Sequence, residues 1–234
     1  MSKICLALDG LSAENAIRLA NEVGGLCYAV KIHDLFDTAG GLIVYRLMET
    51  GAKRVWVDVK LHDISKTAVK RAKAIVLHGA KIITVHASGG VEMMKAVVDM
   101  FNTSRGPVAS VWAITLLTSL DPREIARIYG ADRTPKQIVL DLALMAKEAG
   151  VQGIVCSPQE VGILSKHPDL WGLEFVTPGV RSTKANIGNQ KRTGTPKQAI
   201  DDGASFIVVG SQVTEAEDPV AAFNAIAAEI GQLW

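Results

Sequence analysis

Charged side chains crowd the end of one apolar stretch, VWVDVKLHDIS at residues 55–65. Asp58, Lys60, His62 and Asp63 lie there, after a run of valines and a tryptophan. Carboxylates beside an amine suit acid–base chemistry and the electrostatic stabilisation of a developing charge. The alternative is that they are solvated charges at a strand end or a pair that ties two loops together. Since burying charges is costly unless they are paired, a converging set of them favours a functional site.

Eight short apolar, β-branched runs alternate with longer amphipathic stretches along the chain. The runs are KICLAL (3–8), LCYAVKI (26–32), RVWVDVK (54–60), KIITVHA (81–87), VASVWAIT (108–115), GIVCS (153–157), EFVTPG (174–179) and FIVVG (206–210). Eight strand–helix units predict one closed (β/α)8 TIM barrel, as a single domain over residues 1–234. A doubly wound open sheet is the alternative, but no G-x-G-x-x-G follows the first strand.

Strand alternation predicts where the charges point. Successive side chains of a strand face opposite sides, so Trp56, Asp58 and Lys60 share the barrel interior. The same alternation in the first two runs predicts two more inward sets, Cys5–Ala7–Asp9 and Cys27–Ala29–Lys31. Four charged groups then converge at the carboxyl ends of three strands, where active sites of this fold lie.

Composition excludes several classes of function. The chain is 48% hydrophobic and 21% charged with a formal net charge of +1, which gives no reason to expect binding to nucleic acid or membranes. No stretch approaches the roughly 20 apolar residues of a membrane helix. The start, MSKICLALDG, lacks a secretory pattern, so we expect a cytoplasmic protein. Cys5, Cys27 and Cys156 lack metal-ligand spacing and are predicted to be core residues.

The pattern D-x-K-x-x-D-I, formed by Asp58, Lys60, Asp63 and Ile64, resembles the signature of the orotidine 5′-monophosphate decarboxylase family. LALDG and AVKI before it resemble that family's earlier segments. VHASGG, ITLLTSL, VCSPQE, VTPGVR, NQKRTGTP and VVG after it resemble its later segments, in order. The resemblance implies loss of carbon dioxide from orotidine 5′-monophosphate to give uridine 5′-monophosphate, with no metal and no cofactor.

The resemblance also implies roles for the charged residues. Lys60 would stabilise the carbanion at carbon six of the pyrimidine and then protonate it. Asp58 would lie beside the departing carboxylate, and Lys31 would keep Asp58 ionised. Lys31 and Asp9 would contact the ribose.

Asp63 and Thr67 would reach into the site of a partner subunit, which implies a homodimer. Thr118 would contact the pyrimidine; a helix cap before DPREIARI is its alternative role, but Ser119 or Asp121 fits that role better. The remaining substrate contacts implied are Ile64, Pro178, Arg181, Gln190, Gly210 and Ser211. Among these, Arg181 and Gln190 match phosphate-contacting positions, and Gly210 would let the backbone approach the phosphate. His62 is interpreted as structural, and His86 as a supporting residue behind the site.

The chain departs from the family pattern at the phosphate. Ser211 stands where relatives usually carry an arginine, and charged hydrogen bonds to phosphate are roughly twice as strong as neutral ones. Either Arg181, Lys191 or Arg192 compensates, or the chain binds phosphate weakly. Smaller departures are Ser65, Asn189 and the pair His33–Asp34.

Two rival functions stay open at this point. A metal-dependent lyase for keto-sugar phosphates, such as a ketogulonate-phosphate decarboxylase or a hexulose-phosphate synthase, shares D-x-K-x-x-D but needs an acid at the end of the second strand, where this chain has Lys31. A decayed barrel that only binds a nucleotide would account for Ser211, but the intact charged set argues against it.

Overall fold

The eight strands close into a barrel. The computed structural model describes residues 2–102, 106, 108–130, 132–182 and 194–232. All strands are parallel, each pairs with its successor in the chain, and the last pairs with the first. They are β1 (Ile4–Ala7), β2 (Ala29–Ile32), β3 (Val55–Leu61), β4 (Ile82–His86), β5 (Ser110–Ile114), β6 (Gly153–Val155), β7 (Glu174–Thr177) and β8 (Phe206–Val209). The predicted (β/α)8 barrel is confirmed, and the open sheet is excluded.

Helices follow the strands along the chain. In the described part they are α1 (Ala13–Val23), α2 (Asp34–Ala39), α3 (Leu42–Glu49), α4 (Ser65–Leu77), α5 (Val91–Phe101), α6 (Pro122–Tyr129), α7 (Pro135–Glu148), α8 (Val161–Leu164), α9 (Pro196–Asp201), α10 (Ser211–Thr214) and α11 (Pro219–Glu229). Of the two predicted cap candidates, Ser119 and Asp121, Asp121 caps α6 by accepting hydrogen bonds from the backbone N–H groups of Arg123 and Glu124. The periodicity does not predict the short helices α2 and α10. None of the described helices has the length and apolar character that a membrane crossing requires.

Side chains of β1 and β3 alternate as predicted between two buried layers. Ile4 and Val57 pack in the layer between strands and helices, whereas Cys5 and Trp56 pack inside the barrel. Cys27 is an error of the sequence prediction, because it belongs to the outer layer and not to the interior. A 3₁₀ turn precedes it, its thiol lies 3.3 Å from the Val23 carbonyl oxygen, and β2 begins only after it.

Aromatic rings fill the barrel below its mouth. Trp56 and Trp112 meet edge to face at 4.9 Å between ring centroids, and Trp112 stacks on Phe206 at 5.9 Å. Tyr28 also stacks on Phe206, at 3.8 Å between ring centroids. The packed rings give the charged residues above them a rigid floor, since such aromatic pairs contribute beyond their buried area.

Candidate active site

A cavity of about 580 Å³ opens at the carboxyl ends of the strands. This is the end of the barrel where (β/α)8 enzymes carry their active sites. Nine of the site residues predicted from sequence line it: Asp9, Lys31, Asp58, Lys60, Thr118, Pro178, Arg181, Gly210 and Ser211. They come from elements far apart in the chain, and closure of the barrel brings them together.

Acids and amines alternate along one wall of this cavity. Lys31 pairs with Asp9, and its Nζ lies 3.2 Å from Oδ2 of Asp58. The same Oδ2 accepts a hydrogen bond from Lys60 Nζ at 2.7 Å. The side chains of Lys31 and Asp58 are 7% and 8% exposed, while that of Lys60 is 31% exposed. Lys60 is therefore the amine of this pair of lysines that a bound molecule can reach more easily.

The array holds its buried members in their charged forms. Burial alone would raise the pKa of Asp58, but Lys31 and Lys60 outweigh it and lower that pKa to about 2. Burial alone would lower the pKa of Lys31, but Asp58 and Asp9 outweigh it and raise that pKa. Each buried charge is thus stabilised by an oppositely charged neighbour that offsets the cost of its desolvation, which is the condition for keeping charges in a buried site.

A bulge in β3 sets the position of Lys60. The pairing of β3 with β4 is regular at Val57 opposite Ile83 and resumes at Leu61 opposite Val85, so residues 57 to 61 match only 83 to 85. Lys60 lies in this interval with φ of +50°. No other non-glycine residue in the described ranges has a positive φ. Bulges and left-handed residues of this kind occur at active sites, where they aim a side chain.

Thr84 on β4 contacts both charged residues of the bulge. Its hydroxyl accepts a hydrogen bond from the backbone N–H of Lys60 at 3.0 Å and donates one to Oδ1 of Asp58 at 2.7 Å. Sequence reasoning missed Thr84. The signal was present in KIITVHA, where alternation puts Ile82, Thr84 and His86 on the inward face.

The departure at residues 33 and 34 supports the site. The Nδ1 atom of His33 lies 2.7 Å from the carbonyl oxygen of Asp58. Since a carbonyl oxygen only accepts hydrogen bonds, Nδ1 must carry the proton in this contact. The carboxylate of Asp34 accepts a hydrogen bond from the backbone N–H of Gly10 at 3.0 Å, which ties the β1 and β2 loops together. His62 is exposed and contacts His86, which is half-buried and does not line the cavity.

Arg181 and Ser211 line the cavity from the segments that follow β7 and β8. Arg181 donates from Nη1 to the carbonyl oxygen of Val180 at 2.9 Å, and its buried Nε has no hydrogen-bond partner among the described residues. Ser211 begins α10 and is exposed. Glu215, four residues later, also lines the cavity, and sequence reasoning missed it. Gln190, like Lys191 and Arg192, lies outside the described residues.

Three residues of the predicted site lie away from the cavity of this chain. Asp63, Ile64 and Thr67 are exposed, and none of the three contributes to the cavity wall. Asp63 accepts a hydrogen bond from the N–H of Ile64 at 2.7 Å, and Ile64 is 72% exposed where α4 begins. The single chain therefore does not bring these signature residues to the charged array.

A closed parallel barrel with a paired acid–amine array at its mouth has the architecture of a (β/α)8 enzyme. Residues 2–226 match the Orotidine 5'-phosphate decarboxylase / HUMPS family, and the chain belongs to that family.

Named relatives cover the chain almost from end to end. An orotidine 5'-phosphate decarboxylase of Pseudomonas aeruginosa (strain LESB58) is 38% identical over 232 residues, which is 98% of each chain. One from Moorella thermoacetica is 37% identical and covers 97% of this chain and 92% of its own. The crystal structure of orotidine 5'-phosphate decarboxylase from Lactobacillus acidophilus superimposes with a TM-score of 0.82 at 31% identity, covering 98% of this chain and 99% of that one.

Proposed function

We propose that this protein is a carboxy-lyase that converts orotidine 5′-monophosphate to uridine 5′-monophosphate and carbon dioxide in pyrimidine synthesis. The observation that carries the proposal is the array Asp9–Lys31–Asp58–Lys60 along the wall of the cavity. The names of the relatives support the same reaction.

The reaction breaks the bond between carbon six of the pyrimidine and its carboxylate. The bonding electrons stay on carbon six, where no adjacent carbonyl group delocalises them fully. Lys60 supplies a positive charge beside that carbon and then donates a proton to it, and solvent restores the proton to the amine. Its 31% exposure allows both contact with substrate and exchange with water.

Asp58 lies beside the departing carboxylate in this mechanism. With a pKa of about 2 it is ionised at neutral pH, because Lys31 and Lys60 outweigh the effect of burial. Two negative charges then face each other before the reaction, and the contact is relieved as carbon dioxide leaves. The same carboxylate orients Lys60 through the 2.7 Å bond, so preorganisation and relief of repulsion act through one residue.

The other lining residues hold the parts of the substrate that do not react. Lys31 and Asp9 contact the ribose, and Thr118 contacts the pyrimidine. The phosphate lies near Pro178, Arg181, Gln190, Gly210 and Ser211. Among the described residues, a side chain at Gly210 would meet only Ala7, at an ordinary 3.7 Å, so these neighbours leave space on that side for a ligand.

The proposed active form is a cytoplasmic homodimer in which each chain, residues 1–234, is one catalytic domain. Asp63 and Thr67 complete the site of the partner, with Ile64 between them at the shared boundary. Their exposure, and the 72% exposure of Ile64, support this arrangement because the single chain gives these residues no contact with its own array.

The proposed reaction needs no metal or cofactor. A lyase of the metal-dependent kind needs an acid at the end of β2, whereas that place holds the buried ammonium of Lys31, paired with two carboxylates. A positive charge there repels a divalent cation.

The test is to mix the purified protein with orotidine 5′-monophosphate and follow the pyrimidine absorbance, with and without a chelator. We expect turnover that survives exhaustive chelation and that the Lys60→Ala protein lacks. Turnover that chelation abolishes and magnesium restores favours the metal-dependent lyase. Absence of turnover with tight binding of uridine 5′-monophosphate favours a barrel that only binds nucleotides.

A further inference from the structure

The bulge in β3 removes a backbone hydrogen bond from the barrel next to the charged array. Between Val57 and Leu61 the pairing with β4 shifts, and Lys60 takes a left-handed φ of +50°. A buried backbone N–H without a partner is costly, so this segment needs a replacement acceptor. The replacement is the hydroxyl of Thr84, which accepts from Lys60 N at 3.0 Å.

The same hydroxyl has one proton to give, and it goes to Asp58. Oδ1 of Asp58 accepts it at 2.7 Å, while Oδ2 of the same carboxylate faces Lys60 at 2.7 Å and Lys31 at 3.2 Å. The hydroxyl therefore acts as acceptor and donor at once. One of its bonds goes to Lys60 and the other to Asp58, the two residues assigned to the reaction. Thr84 is 0% exposed, so water cannot take its place without rearrangement.

We infer that Thr84 is a positioning residue: its hydroxyl fixes the strained backbone of Lys60 and the plane of the Asp58 carboxylate relative to each other. This inference rests on the proposed function, because it assigns Lys60 and Asp58 to the reacting centre. Thr84 has no contact with the cavity itself and acts only through these two residues.

The binding of the nucleotide depends on other side chains at the cavity wall, so a change at Thr84 should act on kcat and leave product binding nearly unchanged. A threonine that served packing alone would instead lower stability and affect both quantities together. Valine keeps the shape of threonine without its hydroxyl, serine keeps the hydroxyl, and cysteine has a thiol that is a weak donor and acceptor.

The experiment compares Thr84→Val, Thr84→Cys and Thr84→Ser with the wild type. Thr115→Val is the matched control, since Thr115, the residue after β5, is also buried but its hydroxyl donates to a backbone carbonyl, that of Val155, at 3.1 Å. We expect Thr84→Val to lose about tenfold to a hundredfold in kcat, the range for one hydrogen bond to a charged group. The kcat of Thr84→Cys should lie between those of Thr84→Val and the wild type, and the kcat of Thr84→Ser should stay within about threefold of wild type. Dissociation constants for uridine 5′-monophosphate should stay within about threefold of wild type in all of these variants.

A readout without substrate separates this inference from the proposed function. The hydroxyl helps to keep Asp58 ionised, so its loss raises the pKa of that carboxyl. Acid unfolding of Thr84→Val should then begin at higher pH than that of Thr84→Ser, whether or not the protein decarboxylates the nucleotide.

Equal kcat values for Thr84→Val and Thr84→Ser in an active wild-type background would overturn the inference and leave the proposed function intact. A loss in Thr84→Val that Thr115→Val shares, with weaker nucleotide binding in parallel, would overturn it in favour of packing. If the wild type has no decarboxylase activity, coincident acid-unfolding curves of the valine and serine variants would overturn it. Thr84→Cys provides the same comparison if the valine variant does not fold.

Discussion

Ser211→Arg tests how this chain holds the phosphate of its proposed substrate. Ser211 lines the cavity at the start of α10 and offers one neutral hydroxyl. An arginine there offers a planar fork of charged donors that matches phosphate geometry. Because binding energy at the phosphate can fix the reacting end of the substrate, we expect Ser211→Arg to increase kcat/KM as well as substrate affinity.

The neighbours of Ser211 set the magnitude. A hydrogen bond from a charged group contributes about 1.5–3 kcal/mol, which alone corresponds to more than about tenfold in kcat/KM. Glu215 is four residues away and also lines the cavity, so it competes for the new guanidinium. Such an i,i+4 ion pair contributes only about 0.2–0.5 kcal/mol, so the guanidinium should bind the phosphate in preference to Glu215. The expected increase in kcat/KM is about tenfold, and it should be larger in the double variant Ser211→Arg with Glu215→Gln.

The assay is kcat/KM for orotidine 5′-monophosphate at low and high salt. Glu217→Gln is the control, because it also raises the net charge by one but on an exposed residue that does not line the cavity. The control should change kcat/KM little, and its effect should disappear at high salt. An unchanged or reduced kcat/KM in both arginine variants would refute the reasoning. It would mean that Arg181, Lys191 or Arg192 already holds the phosphate.

Three further predictions concern the charged array and the signature residue Asp63. Lys60→Ala should lower kcat by about 10⁴-fold or more while uridine 5′-monophosphate binding changes by less than about tenfold; a variant that keeps a tenth of the wild-type rate places the chemistry elsewhere. Mixing inactive Lys60→Ala with inactive Asp63→Ala should restore part of the activity through hybrid sites, and subunit exchange without recovery contradicts the shared site. The pKa of Asp58 is about 2 in the fold against an ordinary 3.8, so its ionised form adds on the order of 2 kcal/mol of stability above pH 3.8, lost as the pH falls through about 2. Urea unfolding of Asp58→Asn should therefore depend less on pH between about pH 5 and pH 2 than that of the wild type, and equal dependence contradicts the low pKa.

Strand periodicity was sufficient to predict the fold and the convergence of the charges. Valines alternate with Trp56, Asp58 and Lys60 in β3, and a parallel barrel has only one end at which such side chains can meet. The prediction failed at Cys27 because the position where a strand begins depends on the preceding turn and not on the alternation itself. An extended run of apolar residues carries no mark of that boundary.

The bulge of β3 was not predictable from the sequence in the same way. Lys60 is not a residue type that favours positive φ, so no local preference announces its left-handed backbone. The conformation exists because tertiary contacts hold it, among them the bond to Thr84. Alternation does put Thr84 on the inward face of β4, but the contacts of Thr84 and His33 could not be assigned from the sequence, because each residue acts through one specific atom of another segment.

The signature residues beyond β3 show a different limit, which concerns the assembly rather than the strand. Asp63 satisfies the first N–H after it, and Ile64 leaves 72% of its surface exposed beside that bond. A large apolar side chain held at a helix start gains nothing from that exposure, whereas a second chain packed there would bury it at a gain of up to about 1.5–3 kcal/mol. A motif read along one chain thus combines residues that serve two sites in the proposed dimer. In that proposed dimer, the lysine of the motif acts in its own barrel and the second aspartate acts in the neighbouring one, so that the boundary between the two proposed sites falls between residues 60 and 63.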